Sequence, residues 1–256
     1  MKKLKKILMG MLFLTTSILT EAKYEKFMPK NLDLKPEIFD KAYSGYLRIE
    51  NRKPGLLAIV DYSKNSDKKR FYVIDVVNNK LIYQTYVAHS KNSGFEKAVL
   101  FSDVPNSYQS SLGFFLCAEP YNGAFGYSLR LKGLEKGINS NAEKRAIVIH
   151  GSENSEESFI KDNGFLGRSL GCYVLPKSLT AEIIDVLKEG TVLFVYADDE
   201  EYDTKTLFKG DSLEPIKFDN IPNYNPLFFI NDENETENKI QENLENNIEE
   251  SKENIN

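Results

Sequence analysis

The chain has 256 residues, a formal net charge of −5, two histidines and two cysteines. Residues 231–256 carry a net charge of −7 and residues 1–22 one of +3, which leaves −1 for the rest. A body this close to neutral has no extended basic surface, so nucleic acid is excluded as the expected partner. Its length is sufficient for one sizeable hydrophobic core.

The first 22 residues have the pattern of a secretory signal peptide. Four lysines within the first six residues precede an apolar run over residues 7–19, and residues 20–22 offer a small-residue cleavage site. We therefore expect an exported protein of the periplasm or cell envelope, with no membrane span after cleavage. An uncleaved membrane anchor is the alternative, although the apolar run is short for a bilayer.

A polar lead-in and one helix are predicted over residues 23–54. Apolar residues recur at helical spacing from Pro36 to Asn51, and Pro36 suits the first turn of a helix. Pro54-Gly55 then breaks the pattern, and short strands follow. A second helix is predicted at 176–189, stopped by Gly190. The predicted strands cover residues 56–62, 70–77, 80–88, 114–118, 128–134, 145–150 and 191–196, with a long loop at 90–111.

Many short strands with two helices predict a mainly β or α+β domain over residues 55–199, and not a doubly wound sheet. Residues 200–230 still carry aromatic side chains, so we expect an extended C-terminal segment that wraps around the body. Residues 231–256 are acidic, rich in Asn and without aromatics. That composition predicts a disordered tail.

The chemically most informative stretch runs from Arg145 to Leu175. His150 ends an apolar run, and Cys172 follows 22 positions later in the turn GRSLGC (residues 167–172). A thiol with a pKa of roughly 8.5 is only a few per cent ionised at neutral pH, so it needs a base to become a nucleophile. An imidazole can take that proton and later return it to a leaving amine. The pair predicts a cysteine acyltransferase or hydrolase.

Other residues of the same turn can support this chemistry. Gly171 lets a carbonyl approach the main chain, whose N–H groups can bind a tetrahedral oxyanion. Ser169 is a candidate hydrogen-bond donor to substrate. Arg168 either holds a substrate carboxylate or braces the turn by binding carbonyl groups.

Two structural interpretations compete with catalysis. Cys117 and Cys172 can form a disulfide in an oxidising compartment, although Cys117 lies in an apolar segment that suits a buried, inert thiol. His150, at the end of an apolar strand, can also be a buried histidine with no chemical role.

Four ordered motifs together resemble the murein L,D-transpeptidase catalytic-domain family, in the variant branch of the YkuD-like enzymes. They are SSLG (110–113), FGYSLRLKGLE (125–135), AIVIHG (146–151) and GRSLGC (167–172). The resemblance extends over roughly residues 36–198, which is nearly all of the predicted fold.

The resemblance implies a β-sandwich catalytic domain with a few short helices that acts on peptidoglycan stem peptides without a metal or organic cofactor. Cys172 would attack the carbonyl before a terminal D-alanine, His150 would be the acid and base, and the backbone of Gly171 and Cys172 would bind the oxyanion. The thioester would be resolved by the amine of a second stem or by water, giving L,D-transpeptidase or L,D-carboxypeptidase activity. A non-catalytic wall-binding protein of the same fold is the other alternative. We expect a monomer.

The sequence also departs from the better-known branch of the family. Leu170 stands where that branch has a histidine. Tyr173 follows the cysteine where similar sequences of the variant branch often have proline. These changes concern substrate preference and not the class of reaction. His89 ends a strand where similar proteins carry a histidine nearby, so it is a candidate to contact substrate or to support the site, and a structural loop residue is the alternative. Tyr127 matches a family position and is a candidate substrate contact, but packing explains it equally well.

Overall fold

The computed structural model describes residues 23–210 and 212–225. The predicted signal peptide (1–22) and the predicted acidic tail (231–256) lie outside the described residues. Within the described ranges, no helix has both the length and the apolar character needed to cross a bilayer.

Eight strands and four α-helices make up the described part of the chain. The helices are α1 (Pro36–Arg48), α2 (Glu157–Asn163), α3 (Lys177–Leu187) and α4 (Glu200–Lys205). The strands are β1 (Leu56–Asp61), β2 (Phe71–Asp75), β3 (Lys80–Thr85), β4 (Gly113–Gly123), β5 (Gly126–Gly133), β6 (Val148–Ser152), β7 (Tyr173–Pro176) and β8 (Val192–Tyr196).

All eight strands belong to one sheet in the order β3-β2-β1-β8-β4-β5-β6-β7. The pairs β1–β8 and β6–β7 are parallel and the other neighbours are antiparallel. Ala88, just after β3, forms a bridge with Val174 in β7 at the opposite edge, so the sheet nearly closes on itself. The predicted fold class, a sheet-rich domain with a few short helices, is confirmed.

The main core lies between the sheet and the two longer helices. Most of the apolar residues predicted to line one face of α1 are buried against β1 and β8, and Ile183, Ile184 and Leu187 of α3 are also fully buried. Burial of this kind is the dominant favourable term in folding.

All seven predicted strands and both predicted helices are present, but three elements were missed. These are β7 and the short helices α2 and α4. The expectation of a wholly extended segment at 200–230 was wrong, because α4 occupies its start. Asp199 caps that helix, since its side chain accepts a hydrogen bond from the N–H of Tyr202 at 2.7 Å, which is the usual stabilisation of a helix N-terminus.

Candidate active site

His150 lies in the middle of β6, on the face of the sheet opposite the main core. Successive strand residues point to opposite faces, so Ile149 enters the core while His150 turns away from it. The Nδ1 atom of His150 lies 3.2 Å from the carbonyl oxygen of Gly151. Because a carbonyl only accepts, this contact assigns the ring proton to Nδ1 and leaves Nε2 as a proton acceptor. Burial lowers the pKa of His150 below 6.5, so the ring is neutral at neutral pH.

Phe125 covers one face of that imidazole. The two ring centroids are 4.3 Å apart with an interplanar angle of 15°. Phe125 lies between β4 and β5, and 63% of it is exposed. Its sequence context predicts no role for it, although it stands in one of the motifs that carry the resemblance. Its stacking limits the access of water to the imidazole.

Cys172 lies directly before β7, and its Sγ donates a hydrogen bond to the carbonyl oxygen of Ala146 at 3.6 Å. Burial raises the pKa of the thiol above 9.0, while the N–H of Val148 and the charge of Arg145 act in the opposite direction. The resting site therefore holds a neutral thiol and a neutral imidazole. The thiol is bonded to Ala146 and not to His150, and catalytic hydrogen bonds often tighten only when substrate is bound.

Parallel pairing of β6 and β7 brings the two side chains to one face of the sheet. His150 is opposite Val174, and Cys172 lies two residues before Val174, which places it on the same face. Both side chains line a cleft of about 410 Å³. The other lining residues are Ala88, Phe125, Arg145, Ala146, Ile147, Gly151, Ser152, Asn154, Ser155, Gly167, Arg168, Ser169, Leu170 and Val174.

Ser169 holds the turn that carries the cysteine. Its Oγ donates to the carbonyl oxygen of Cys172 at 2.7 Å and accepts from the N–H of Gly171 at 3.2 Å. It also lies 3.3 Å from the Oγ of the buried Ser90. Of the two N–H groups predicted to bind an oxyanion, that of Gly171 is therefore bonded to Ser169 at rest.

Arg168 lies exposed at the rim of the cleft. Its guanidinium carbon is 4.6 Å from the ring centroid of Phe95. A guanidinium over an aromatic face keeps its N–H groups at the edge available for a carboxylate. This geometry favours the first of the two predicted roles, in which Arg168 holds substrate.

His89 supports the site from behind and does not line the cleft. It is fully buried, with Nδ1 2.9 Å from Arg70 and Nε2 3.2 Å from the carbonyl oxygen of Gly94. Its own carbonyl oxygen accepts from the N–H of Ser169 at 2.9 Å. Burial and the neighbouring Arg70 lower the pKa of His89 to about 4. The prediction of a direct substrate contact is corrected here, because this ring has no exposed surface.

The side chain of Tyr127 also points away from the cleft. Its hydroxyl donates to Asp185 of α3 at 2.9 Å, and it is not among the residues that line the cleft. The predicted substrate contact is thus replaced by a contact between β5 and α3.

The two thiols differ in accessibility, which gives a simple expectation. Cys117 and Cys172 are both free, but Cys117 is fully buried in β4 and burial raises its pKa strongly. We expect a thiol reagent to modify one cysteine, Cys172, in the native protein and both after unfolding, as peptide mass spectrometry will show. Recovery of no free thiol in the unfolded, unreduced protein would contradict this and establish the disulfide.

One comparison with known proteins bears on this site. A family model described as the L,D-transpeptidase catalytic domain matches residues 30–196. That range contains His150, Cys172 and the whole cleft. No curated protein matches the chain.

Several solved structures are similar to part of the chain. An L,D-transpeptidase from Mycobacterium smegmatis has 13% identity and a TM-score of 0.35, over 56% of this chain and 59% of that one. One from Stackebrandtia nassauensis has 14% identity and a TM-score of 0.36, over 58% of each chain. A mutant L,D-transpeptidase from Enterococcus faecium has 14% identity and a TM-score of 0.35, over 56% of this chain and 50% of that one. The match thus spans between half and three fifths of those proteins.

Proposed function

Because the chain belongs to the L,D-transpeptidase catalytic-domain family, we propose that it is a peptidoglycan L,D-transpeptidase that works through a thioester on Cys172. The resemblance stated from the sequence is thereby confirmed at the level of the family. The nucleophile, the base and the substrate are our proposal.

One observation carries this proposal. The parallel pairing of β6 with β7 puts His150 and Cys172 on the same face of the sheet, in one cleft. A nucleophile and a base within reach of each other are the minimum requirement for covalent acyl transfer.

The first half-reaction forms the thioester. Rotation of the Cys172 side chain takes its S–H from Ala146 towards Nε2 of His150, which accepts the proton. The thiolate attacks the carbonyl carbon before the terminal D-alanine. The oxyanion accepts hydrogen bonds from the N–H groups of Gly171 and Cys172. For Gly171 this hydrogen bond replaces the one of 3.2 Å to Ser169. The intermediate collapses when the imidazolium protonates the leaving amine, and D-alanine departs.

The second half-reaction releases the enzyme. The neutral imidazole of His150 deprotonates an incoming amine of a second stem, which attacks the thioester carbonyl and forms a cross-link. The C–S bond of the thioester breaks, and the imidazolium of His150 returns the proton to the thiolate of Cys172. Water in place of the amine gives a trimmed stem, which is L,D-carboxypeptidase activity.

The charge of the cleft suits an anionic donor. Its described lining residues include two arginines, Arg145 and Arg168, and no acidic side chain. A stem that ends in D-alanine presents its carboxylate close to the scissile bond, and guanidinium groups bind carboxylates well. We assign that carboxylate to Arg168, the more exposed of the two.

The location and the domain plan are further parts of the proposal. Peptidoglycan lies outside the cytoplasm, so we propose that residues 1–22 direct export and that residues 55–199 form the catalytic domain. We assign no catalytic role to the segment that follows α4 or to the acidic tail at 231–256.

The test uses purified protein, disaccharide tetrapeptides and mass spectrometry of the products. Loss of alanine together with cross-linked dimers is the expected result and defines a transpeptidase. Loss of alanine alone defines a carboxypeptidase. The variant Cys172→Ser is the matched control and should give neither product.

Two outcomes would overturn the proposal. Undiminished product formation by the Cys172→Ser variant would place the chemistry elsewhere. No product from a protein whose Cys172 reacts with thiol reagents, combined with retention on isolated cell walls, would establish the non-catalytic wall-binding alternative.

A further inference from the structure

Arg145 lies in the turn that leads into β6, three residues before the strand, and is held firmly by the loop at 102–111. Its guanidinium donates four hydrogen bonds, and every acceptor is uncharged. They go to the carbonyl oxygens of Ser102 (2.6 Å) and Gln109 (2.6 Å) and to the Oγ atoms of Ser111 (2.7 Å) and Ser107 (3.2 Å). A half-buried cation with neutral partners keeps its charge and has little freedom to move.

This cation lies close to the backbone of the catalytic turn. A Cβ atom built on Gly171 would be 3.7 Å from Nη2 of Arg145. Arg145 and Cys172 line the same cleft, and the attraction between the guanidinium and the thiolate lowers the pKa of Cys172 against the effect of burial.

Among the charged and titratable groups around the thiol, Arg145 is the cation that acts on it, whereas Arg168 lines the same cleft from its exposed rim. The imidazole of His150 is neutral at rest, and burial raises the pKa values of Tyr62 and Tyr173, so both phenols are neutral as well. Asp103 acts on Arg145 and not on the thiol. A permanent positive charge favours the thiolate before any proton has reached substrate.

We propose that Arg145 is a positioning residue of the site, whose fixed guanidinium stabilises the thiolate of Cys172 and ties the loop at 102–111 to the catalytic turn. The inference deepens the proposed function and rests on Cys172 being its nucleophile. Its test needs no peptidoglycan, so the two can fail separately.

The experiment measures the rate of alkylation of Cys172 by iodoacetamide as a function of pH in the full chain. We expect Arg145→Gln to move the midpoint upwards by about one pH unit, which is roughly a tenfold lower rate below the midpoint. Arg145→Lys keeps the charge and should stay closer to the parent protein. Arg130→Gln removes a cation that pairs with Glu119 on the surface of β5 and should leave the profile unchanged.

A second pair of variants keeps Arg145 in place and offsets its charge. Ser107→Asp sets a carboxylate beside Nη2 and should raise the midpoint, whereas the uncharged Ser107→Asn should not. This pair decides the question where Arg145→Gln does not fold.

The proposal is overturned by a folded Arg145→Gln protein whose midpoint stays at the parent value, or by equal profiles for Ser107→Asp and Ser107→Asn. Equal upward shifts of the alkylation midpoint in Arg145→Lys and Arg145→Gln would also overturn it. They would show that the charge is irrelevant and that Arg145 only supports the loop. Normal alkylation profiles with no activity on tetrapeptides would count against the proposed function alone.

Discussion

Replacement of Cys172 by alanine is expected to abolish product formation from disaccharide tetrapeptides, with a loss of roughly 10⁴-fold or more in kcat. The hydroxyl groups that share the cleft, such as those of Ser152 and Ser169, are much weaker acids than a thiol and cannot take its place. The cysteine is half-buried at the end of a turn, so its truncation removes little packing. Mass spectrometry of timed reactions gives the rate, and urea unfolding monitored by circular dichroism shows whether the fold is retained.

Cys117→Ala is the matched control for this experiment. Cys117 packs in the core from β4 and reaches no cleft, so its loss should cost about 1 kcal/mol of unfolding free energy and leave the activity intact. A Cys172→Ala protein that keeps more than a hundredth of the parent rate would show that another group attacks the substrate.

Most of the sheet could be predicted from the sequence, because its strands have strong local signals. The strands β1, β2 and β8 are runs of branched and aromatic residues, and the turn at Asn78-Asn79 joins β2 to β3. Asn79 has a φ of 50°, a conformation that asparagine tolerates better than most residues. The local pattern and the structure agree here because these strands are buried along nearly their whole length, which requires continuous runs of apolar residues.

The element that creates the site could not be predicted in the same way. β7 is only four residues long and ends in Pro176, so its local signal is weak. It becomes a strand because the crossover from β6, which contains α2, returns the chain alongside β6. Parallel strands require a connection of about a dozen residues or more. The 22-residue spacing of His150 and Cys172 agrees with such a connection, but spacing alone does not fix the partner strand.

The roles of residues outside the motifs could also not be predicted from the sequence. Arg145 has no local signal of its role, because its four acceptors lie 34 to 43 positions away. The opposite error affected His89, for which the family resemblance suggested a substrate contact. Its burial beside Arg70 shows that a rare, chemically capable side chain can serve a structural purpose.

Gly171→Ala is the second large effect we expect, with a loss of roughly 10²–10³-fold in kcat, the usual range when an oxyanion donor is lost. Gly171 has a φ of 148°, where other residues are strained. An added Cβ would also lie 2.2 Å from Cδ1 of the buried Ile147. Relief of that contact must rotate the turn, which redirects the N–H groups of residues 171 and 172. The initial rates of the purified variant on tetrapeptides give kcat and KM.

Gly164→Ala separates this effect from the general cost of a positive φ. Gly164 ends α2 with a φ of 82°, and a Cβ there meets no atom within 4 Å. It should lose about 1 kcal/mol of stability and no activity. Adding Ile147→Val to Gly171→Ala removes Cδ1, so a partial recovery of kcat in the double variant would assign that share of the loss to the steric contact. Equal activities of Gly171→Ala and Gly164→Ala would place the oxyanion donors away from the GRSLGC turn.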